Sequence, residues 1–370
     1  MKKRYWILIA SVVALMALAI IIPRLRAGET PASSSYQVLQ PIRHGNLTIF
    51  PVVSSHSHDT SGFLTLDEGL RSGEVVVTEA GNGSPLVRPR RGHQVWQESH
   101  AGGAEVNRLV LVNNSKRPLL LLAGEIVTGG KQDRIIGKDR LVPAESDPVD
   151  LGVFCVEPGR WVERSSSFNA PATNSVMGAM VQPSVRSKAM ADKDQQQVWN
   201  EVRSARDGAA LGLPAPAQAQ VEASSSYAAV IENDEVQHKL EAVAGPMQEE
   251  YQSVIRQLRD RNAVGIVVAV NGEVIWADIF ASTKLLEKYW PKLVRSYAAE
   301  SFVQRTKASS VDAKTAQEFL NRLQGRREVV ENEPGLYRHT EISGDGFKVF
   351  ELASLLPGTG FDLHLAKMAE

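Results

Sequence analysis

Cysteine is all but absent from this chain: of 370 residues, only Cys155 carries a thiol. No intrachain disulfide can form, so stability has to come from the core. Charge of one sign is lacking too. The 41 basic and 42 acidic residues leave a net charge of −1, which removes the electrostatic case for nucleic acid as a partner. The chain has no internal repeat, no G-x-S-x-G elbow, no H-E-x-x-H pair and no dinucleotide glycine fingerprint. The familiar hydrolase, zincin and dinucleotide-binding signatures are therefore missing.

Composition is otherwise that of an ordinary globular protein, 43% hydrophobic and 22% charged, and the length suits one large domain or two of average size. The first 27 residues stand apart. Lys2, Lys3 and Arg4 precede an apolar run from Tyr5 to Ile22, which Pro23, Arg24 and Arg26 close. At about 1.5 Å per residue this run approaches the ~30 Å thickness of a bilayer core. An uncleaved N-terminal anchor is expected over a cleaved signal peptide, because Leu25-Arg26-Ala27 lacks the small-x-small pattern of a cleavage site. Positive charge is denser before the run, so the body of the chain is expected outside the cytoplasm, membrane-anchored, or secreted if the segment is cleaved.

Residues 28–35 read as a short tether. Residues 36–164 read as a strand-rich first half. Its expected strands are 47–53, 74–78, 107–112, 118–127, 134–136, 140–142 and 149–156. Thr65 and Glu68 form a capping box that opens a short helix, with Gly73 to end it. Strands at this spacing suggest a sandwich or barrel. Residues 165–226 form a polar Ala/Pro/Gln/Ser-rich excursion with one helix near 192–206 and a linker or surface loop over 209–226. Residues 227–368 are mixed. Pro246 suits the first turn of a helix. Asn271-Gly272 suits the type I′ turn of a hairpin over 265–280. A helix over 285–299 contains Pro291, so a kink near Lys288 or a break is expected. A helix around 316–323 is followed by a second hairpin, 340–352, and a last strand, 361–365.

The densest cluster of polar and glycine residues is GEIVTGGKQDRIIGKDRLVPAESDPVDLGVFCVEPGRW, Gly124 to Trp161. It is not a phosphate loop. Gly130 stands where lysine is required, Lys131 comes one place late, and Gln132 replaces the hydroxyl. Gly129 and Gly130 would still let a backbone approach a ligand, and Lys131, Arg134, Lys138 and Arg140 would supply donors to an anion. Glu125 ends an apolar run, where a desolvated carboxylate gains a raised pKa suited to proton transfer. The plainer reading is a hairpin turn with solvated charges. Cys155 sits in an apolar strand and reads as core. Glu157 and Arg160 either pair with each other or face a ligand. His56-Ser57-His58-Asp59 has two ligand types on one strand face but no further partner, since Phe63 occupies the place of the next carboxylate, so no metal is expected. Tyr289, Trp290, Lys292, Arg295 and Tyr297 crowd one helix, either as a cation–π or anion contact or as core beside a solvated face.

The Gly124–Trp161 segment, followed by GIVVAVNGEVIWADIF and KYWPKLVRSYAAES, resembles the domain family associated with ADP-ribosylglycohydrolase and rhodanese/phosphatase proteins. The resemblance runs from about Leu47 to Leu365. It implies that both halves form one domain, with 165–226 as an excursion within it, and a link to NAD or ADP-ribose metabolism. Its motif positions here are Glu125, Lys131, Gln132, Arg134, Cys155, Glu157, Arg160 and Trp161. Shorter members look cytosolic, and this chain departs from them in its N-terminal run and long polar middle.

The expectation is an α+β protein, a strand-rich sandwich or barrel-like core with packed helices, preceded by one N-terminal transmembrane helix. Its leading function is binding of an anionic, nucleotide-sugar-like or ADP-ribose-related ligand. Lys131, Gln132, Arg134, Arg160, Trp161, Gly129 and Gly130 would form the ligand site, with Glu125 or Glu157 as acid/base if there is catalysis. The alternative is a non-catalytic envelope interaction module, in which those charges pair with one another. No cofactor is identified. The expected partners are the membrane, through the N-terminal helix, and a small anion.

Overall fold

The computed structural model describes residues 36–80, 107–160, 164–170, 179–258, 261–302 and 310–370. The expected anchor (1–27), the tether (28–35) and Trp161 lie outside the described residues. No helix among those described is long and apolar enough to cross a membrane.

The architecture is α+β, built on three sheets. The largest has nine strands. It takes β1 (Tyr36–Val38), β2 (Ile42–His44) and β3 (Leu47–Ser54) from the start of the chain. The rest come from the second half: β13 (Asn262–Val270), β14 (Glu273–Phe280), β15 (Arg326–Glu333), β16 (Tyr337–Gly344), β17 (Phe347–Ser354) and β18 (Asp362–Ala369). The order is β1-β3-β13-β14-β18-β17-β16-β15, with β2 on β3, and every pairing is antiparallel. Because β3 pairs with β13 (Val267 beside Phe50), the two halves share one sheet. Residues 36–164 are thus the first half of a shared architecture: β1 and β2 flank β3, and β3 finds its partner β13 more than 200 residues away. The central strands are apolar at nearly every position because both faces are covered. The expected Asn271-Gly272 turn is present, with φ of 54° and 82°.

The remaining strands of the first half build a small barrel. The six-stranded sheet runs β12 (Phe168–Asn169), β8 (Ile126–Gly129), β9 (Arg134–Ile136), β11 (Val149–Cys155), β6 (Arg108–Asn113) and β5 (Val75–Glu79). β12 comes back beside β5, so the sheet nearly closes. A three-stranded sheet of β10 (Arg140–Val142), β7 (Leu119–Leu121) and β4 (Leu64–Thr65) adjoins it. Leu66, Val77, Leu109, Leu111, Val127, Ile136 and Val153 fill the interior. The run 118–127, expected as one strand, is two, because Gly124 turns the chain at φ 88°. Helix α1 (Leu66–Ser72) carries the expected capping box and ends at left-handed Gly73.

One face of the large sheet meets the barrel and a layer of helices through a single apolar core. These helices are α2 (Pro183–Ser187), α3 (Gln195–Ala210), α4 (Ala215–Ala223), α5 (Tyr227–Glu232), α6 (Asp234–Arg256) and α7 (Thr283–Glu300). The other face carries α8 (Ala313–Asn321), seated by Ala316 and Leu320. Residues 209–226 are therefore not a surface loop. Ala217 and Val221, four apart, give α4 a buried stripe, and Pro216 sits harmlessly in its first turn. Pro246 does not open a helix but lies inside α6, which Asn233 caps from the N-terminal end. α7 runs unbroken through Pro291.

Thr65 is buried and accepts from the Glu68 amide, while Glu68 accepts from the Thr65 amide at 2.9 Å. Replacing Thr65 by Ala should cost about 1 kcal/mol, with Ser nearly neutral. Urea denaturation of the two variants checks this.

Candidate functional site

The segment Gly124–Arg160 is the seam along which barrel, sheet and helices meet, and its charges fall into three groups. The first surrounds Glu125, 1% exposed. Its Oε2 accepts from the Leu122 amide at 2.7 Å, and its Oε1 receives the Lys292 ammonium. Lys292, from α7, also donates to Asp67 Oδ2 at 2.7 Å and lies 4.6 Å from the centre of the Tyr289 ring. Burial pushes the Glu125 carboxyl upward, Lys292 opposes it and Asp67 reinforces it. Burial alone would depress Lys292, but the two carboxylates hold its pKa above the usual lysine value.

The second group was not singled out from the sequence. Asp278 on β14, fully buried, accepts from Arg186 at 2.9 and 3.0 Å and from the Tyr297 hydroxyl. His364 on β18 bridges two carboxylates: Nδ1 lies 2.5 Å from Asp139 Oδ2, and Nε2 lies 3.1 Å from Asp278 Oδ1. Asp139 accepts from the Ala123 amide at 2.8 Å. Burial works against the imidazolium, yet the flanking carboxylates raise His364 to about 9. Two carboxylates, one guanidinium and one imidazolium cancel without water. Gly124 presses on this group: a Cβ there would come within 2.5 Å of Arg186 Cγ.

The third group closes one end of the barrel. Arg160 bonds Glu157 Oε2 at 2.6 Å and the Gly130 carbonyl at 3.0 Å, and lies 3.5 Å from Asp133. Asp133 accepts from Ser226 at 2.8 Å and from the Gly129 amide at 3.2 Å, while its own amide donates to Glu157 at 3.0 Å. Gln132 donates to the Glu157 carbonyl at 3.1 Å. The Lys131 amide donates to Glu79 Oε1 at 2.8 Å, tying β5 to the seam. Arg134 and Cys155 are directly paired across β9 and β11 and fully buried. Burial raises the thiol above its usual value and lowers Arg134. Burial also raises Glu157, but Arg160 and the Asp133 amide hold it below the ordinary carboxylate range, whereas burial and Glu157 together push Asp133 up. Gly130, at φ 48°, lies where a Cβ would meet the Phe168 ring at 2.3 Å.

The structure thus brings Gly129, Gly130, Lys131, Gln132, Arg134, Glu157 and Arg160 together, and places Glu125 elsewhere, against α7. The motif carboxylates pair with cations of the same fold. Among the described residues no group of His, Cys, Asp or Glu has the arrangement of a metal site.

A cleft of about 390 Å3 lies between the barrel and the outer strands of the large sheet, with Lys138, next in sequence to Asp139, in its wall. Lys138, Phe154, Met190, Lys193, His339 and Phe350 line it, with Val330 and Glu341 at its side. His339 is 1% exposed, and neither of its ring nitrogens has a hydrogen-bond partner. Burial lowers its pKa, so the ring is neutral at neutral pH. One wall is a π-helical turn, Lys188–Asp192, which ends on Lys193 at φ 53°. Such turns and left-handed non-glycine residues concentrate at functional sites. The singled-out Gly124–Trp161 segment supplies Gly137, Lys138 and residues 152–154 to this site, but of these the sequence marks only Lys138 as a ligand donor. His339 shows no ligand spacing, and the π-turn lies in the segment that reads as a polar excursion.

Lys292→Met would strand two buried carboxylates and should cost about 3–5 kcal/mol, while Lys292→Met with Glu125→Gln and Asp67→Asn should recover most of that loss. Chemical denaturation of the two variants decides it. Because the folded pKa of His364, about 9, exceeds its ordinary 6.5, its contribution is whole below the lower value and is lost as pH rises through the upper one. The melting temperature should fall between pH 7 and 9.5. His364→Gln should melt lower at pH 6 and show a flatter profile.

A family model described as the ARG and Rhodanese-Phosphatase-superfamily-associated Protein domain, ARPP-1, matches residues 35–366. No curated protein and no solved structure matches the chain. The matched span begins one residue before β1 and ends inside β18, so it takes in both sheet halves, the barrel and the helical layer. The chain belongs to the ARPP-1 domain family.

Proposed function

We propose that this domain binds a small anionic molecule, without converting it, in the cleft beside His339, and that its N-terminal run holds it on the outer side of a membrane. One observation carries the reading: His339 is a buried neutral imidazole with a donor and an acceptor both unmet, facing a cleft large enough for a ligand. A buried unsatisfied polar group costs about 1–3 kcal/mol, and a ligand that meets it recovers that cost. Met190, Phe154 and Phe350 would take an apolar or planar body. Lys138 and Lys193, paired with Glu331 and with Glu341 (2.7 Å for the latter), are partly exposed at the rim and would attract an anionic group. A nucleotide-sugar-like or ADP-ribose-related molecule has both features. Binding is favoured over hydrolysis because Glu125 and Glu157 are each neutralised by a cation within the fold, which leaves neither as a free acid or base.

A second anion site at the barrel end has one supporting feature. The Arg164 side chain is 60% exposed beside Gly130 and Lys131, and its amide donates to the Gly130 carbonyl at 2.8 Å. Here Lys131, Arg160 and Arg164 would hold the charge while Arg134 supports them from within.

His339→Leu removes an unpaired buried polar group, so it should leave the ligand-free protein as stable or about 1 kcal/mol more stable. The same change should weaken binding 10- to 100-fold. Thermal shift and calorimetry against ADP-ribose, NAD, nucleotides and sugar phosphates test this. Loss of binding in Lys131→Ala/Arg164→Ala with His339→Leu unaffected would move the site to the barrel end. Alkaline phosphatase fused after residue 60 should be active in a bacterial host, and an inactive fusion would reverse the orientation.

A further inference from the structure

Among the described residues β15 is the last strand of the nine-stranded sheet, and it is exposed along nearly its whole length. Val329 is 52% and Val330 39% exposed; with Leu211 they are the exposed large hydrophobic residues of the described chain. An open strand edge offers unpaired amides and carbonyls to any second strand. Charge and a bulge commonly blunt such edges, and β15 has both. Its sequence is Arg326-Arg327-Glu328-Val329-Val330-Glu331-Asn332-Glu333. The bulge falls between Val329 and Glu331.

Both devices change their meaning when the strand is laid antiparallel against itself. Positive charge gathers at its start and negative charge at its end, so a reversed copy brings Arg326 opposite Glu333 at each end. The bulge also resets the alternation. Arg326 and Glu328 stand beside Ser343 and Glu341, whereas after the bulge Glu331 and Glu333 stand beside His339 and Tyr337. All four of these β16 partners lie on one face, so Arg326 and Glu333 share a face despite their odd separation. A two-fold axis perpendicular to the sheet requires that. Without the bulge the same register would put the two charges on opposite faces.

We propose that β15 is the homodimer edge of this domain. Two copies would join their nine-stranded sheets antiparallel about an axis between Val329 and Val330. Arg326 of each copy would meet Glu333 of the other, Arg327 would meet Asn332, and the four valines would cover one another at the centre. Glu328 would face Glu331 of the second copy, whose charge Lys138 already balances. Among the described residues Arg326 pairs with Glu328 at 3.4 Å, with 83% of its side chain exposed, so it is able to exchange partners. A single pair of eight-residue strands buries less than a standard stable interface, so the dimer is weak and is favoured where an anchor confines both copies to one membrane.

Sedimentation equilibrium of the full-length protein in mild detergent tests the pairing. The wild type should dimerise with a dissociation constant in the micromolar range that rises with salt. Arg326→Glu and Glu333→Arg should each weaken it at least about tenfold. The combined variant Arg326→Glu/Glu333→Arg restores the complementarity and should return the constant to near the wild-type value. Both residues are on the exposed edge, and circular dichroism verifies that the variants fold. A protein that stays monomeric at ~100 µM, or a dimer that neither reversal affects, overturns the proposal. So does a double variant as weak as the single ones.

Discussion

Asp278 is the point on which the fold turns. Its carboxylate is fully buried and accepts from Arg186, Tyr297 and His364. These partners come from α2, α7 and β18, so one side chain fixes two helices of the covering layer against two neighbouring strands. A buried carboxylate is costly unless its lone pairs are filled, and the cost of losing one partner is larger than the net gain of the set. The network therefore ties the seating of α2 and α7 to Asp278, because a shift of either helix would take a partner from the buried carboxylate. It reaches the barrel through His364 and Asp139, whose second oxygen takes the Ala123 amide.

The conspicuous residues of the Gly124–Trp161 segment take on their meaning from this arrangement. Gly124 is glycine because Arg186 passes where a Cβ would stand, and because φ is 88°. Glu125 follows it into the second buried group, against Lys292. Glycines and charges placed between apolar strands are what a ligand loop requires, and equally what a seam between two sheets requires. Sequence alone leaves that choice open, because it shows neither Lys292 nor Arg186 as a partner at a separation of more than sixty residues. The charged helix 285–299 had two readings in sequence, and the structure divides them by residue: Lys292 is buried against carboxylates, while Arg295 reaches Glu241 at 2.7 Å near the surface.

Local signals were legible where the physics is local. The capping box at Thr65, the Asn271-Gly272 turn and the short strands 134–136 and 140–142 are as the sequence indicates, and the barrel in the expected strand-rich half nearly closes. Pairing was not legible, because β3 carries no mark of β13 beyond its apolar character. The helix expected near 192–206 is present as α3, but the rest of the helical structure in 183–226 was hidden for a different reason. It buries small residues such as Ala189 and Ala217, which add little to an apolar pattern yet let helices pack closely. Pro246 misled because proline is favoured in a first turn but is tolerated further in when one face of the helix is solvated. The family resemblance did not depend on any of this, and the family match covers the fold from β1 into β18.

Asp278 and His339 contrast in how their buried polar atoms are satisfied. The two residues sit under the same sheet, on strands three places apart, and each is almost fully buried. Asp278 has its oxygens filled; the ring nitrogens of His339 have no partner. A fold that spends two aspartates, an arginine, a tyrosine and a histidine on satisfying one buried cluster has the means to satisfy a second. Leucine or phenylalanine at 339 would serve the core better than an imidazole without partners, since the neighbouring Phe350 and Leu352 are apolar. On the reading proposed above, a ligand outside the chain would complete the histidine, and the open volume next to it is where that ligand would fit.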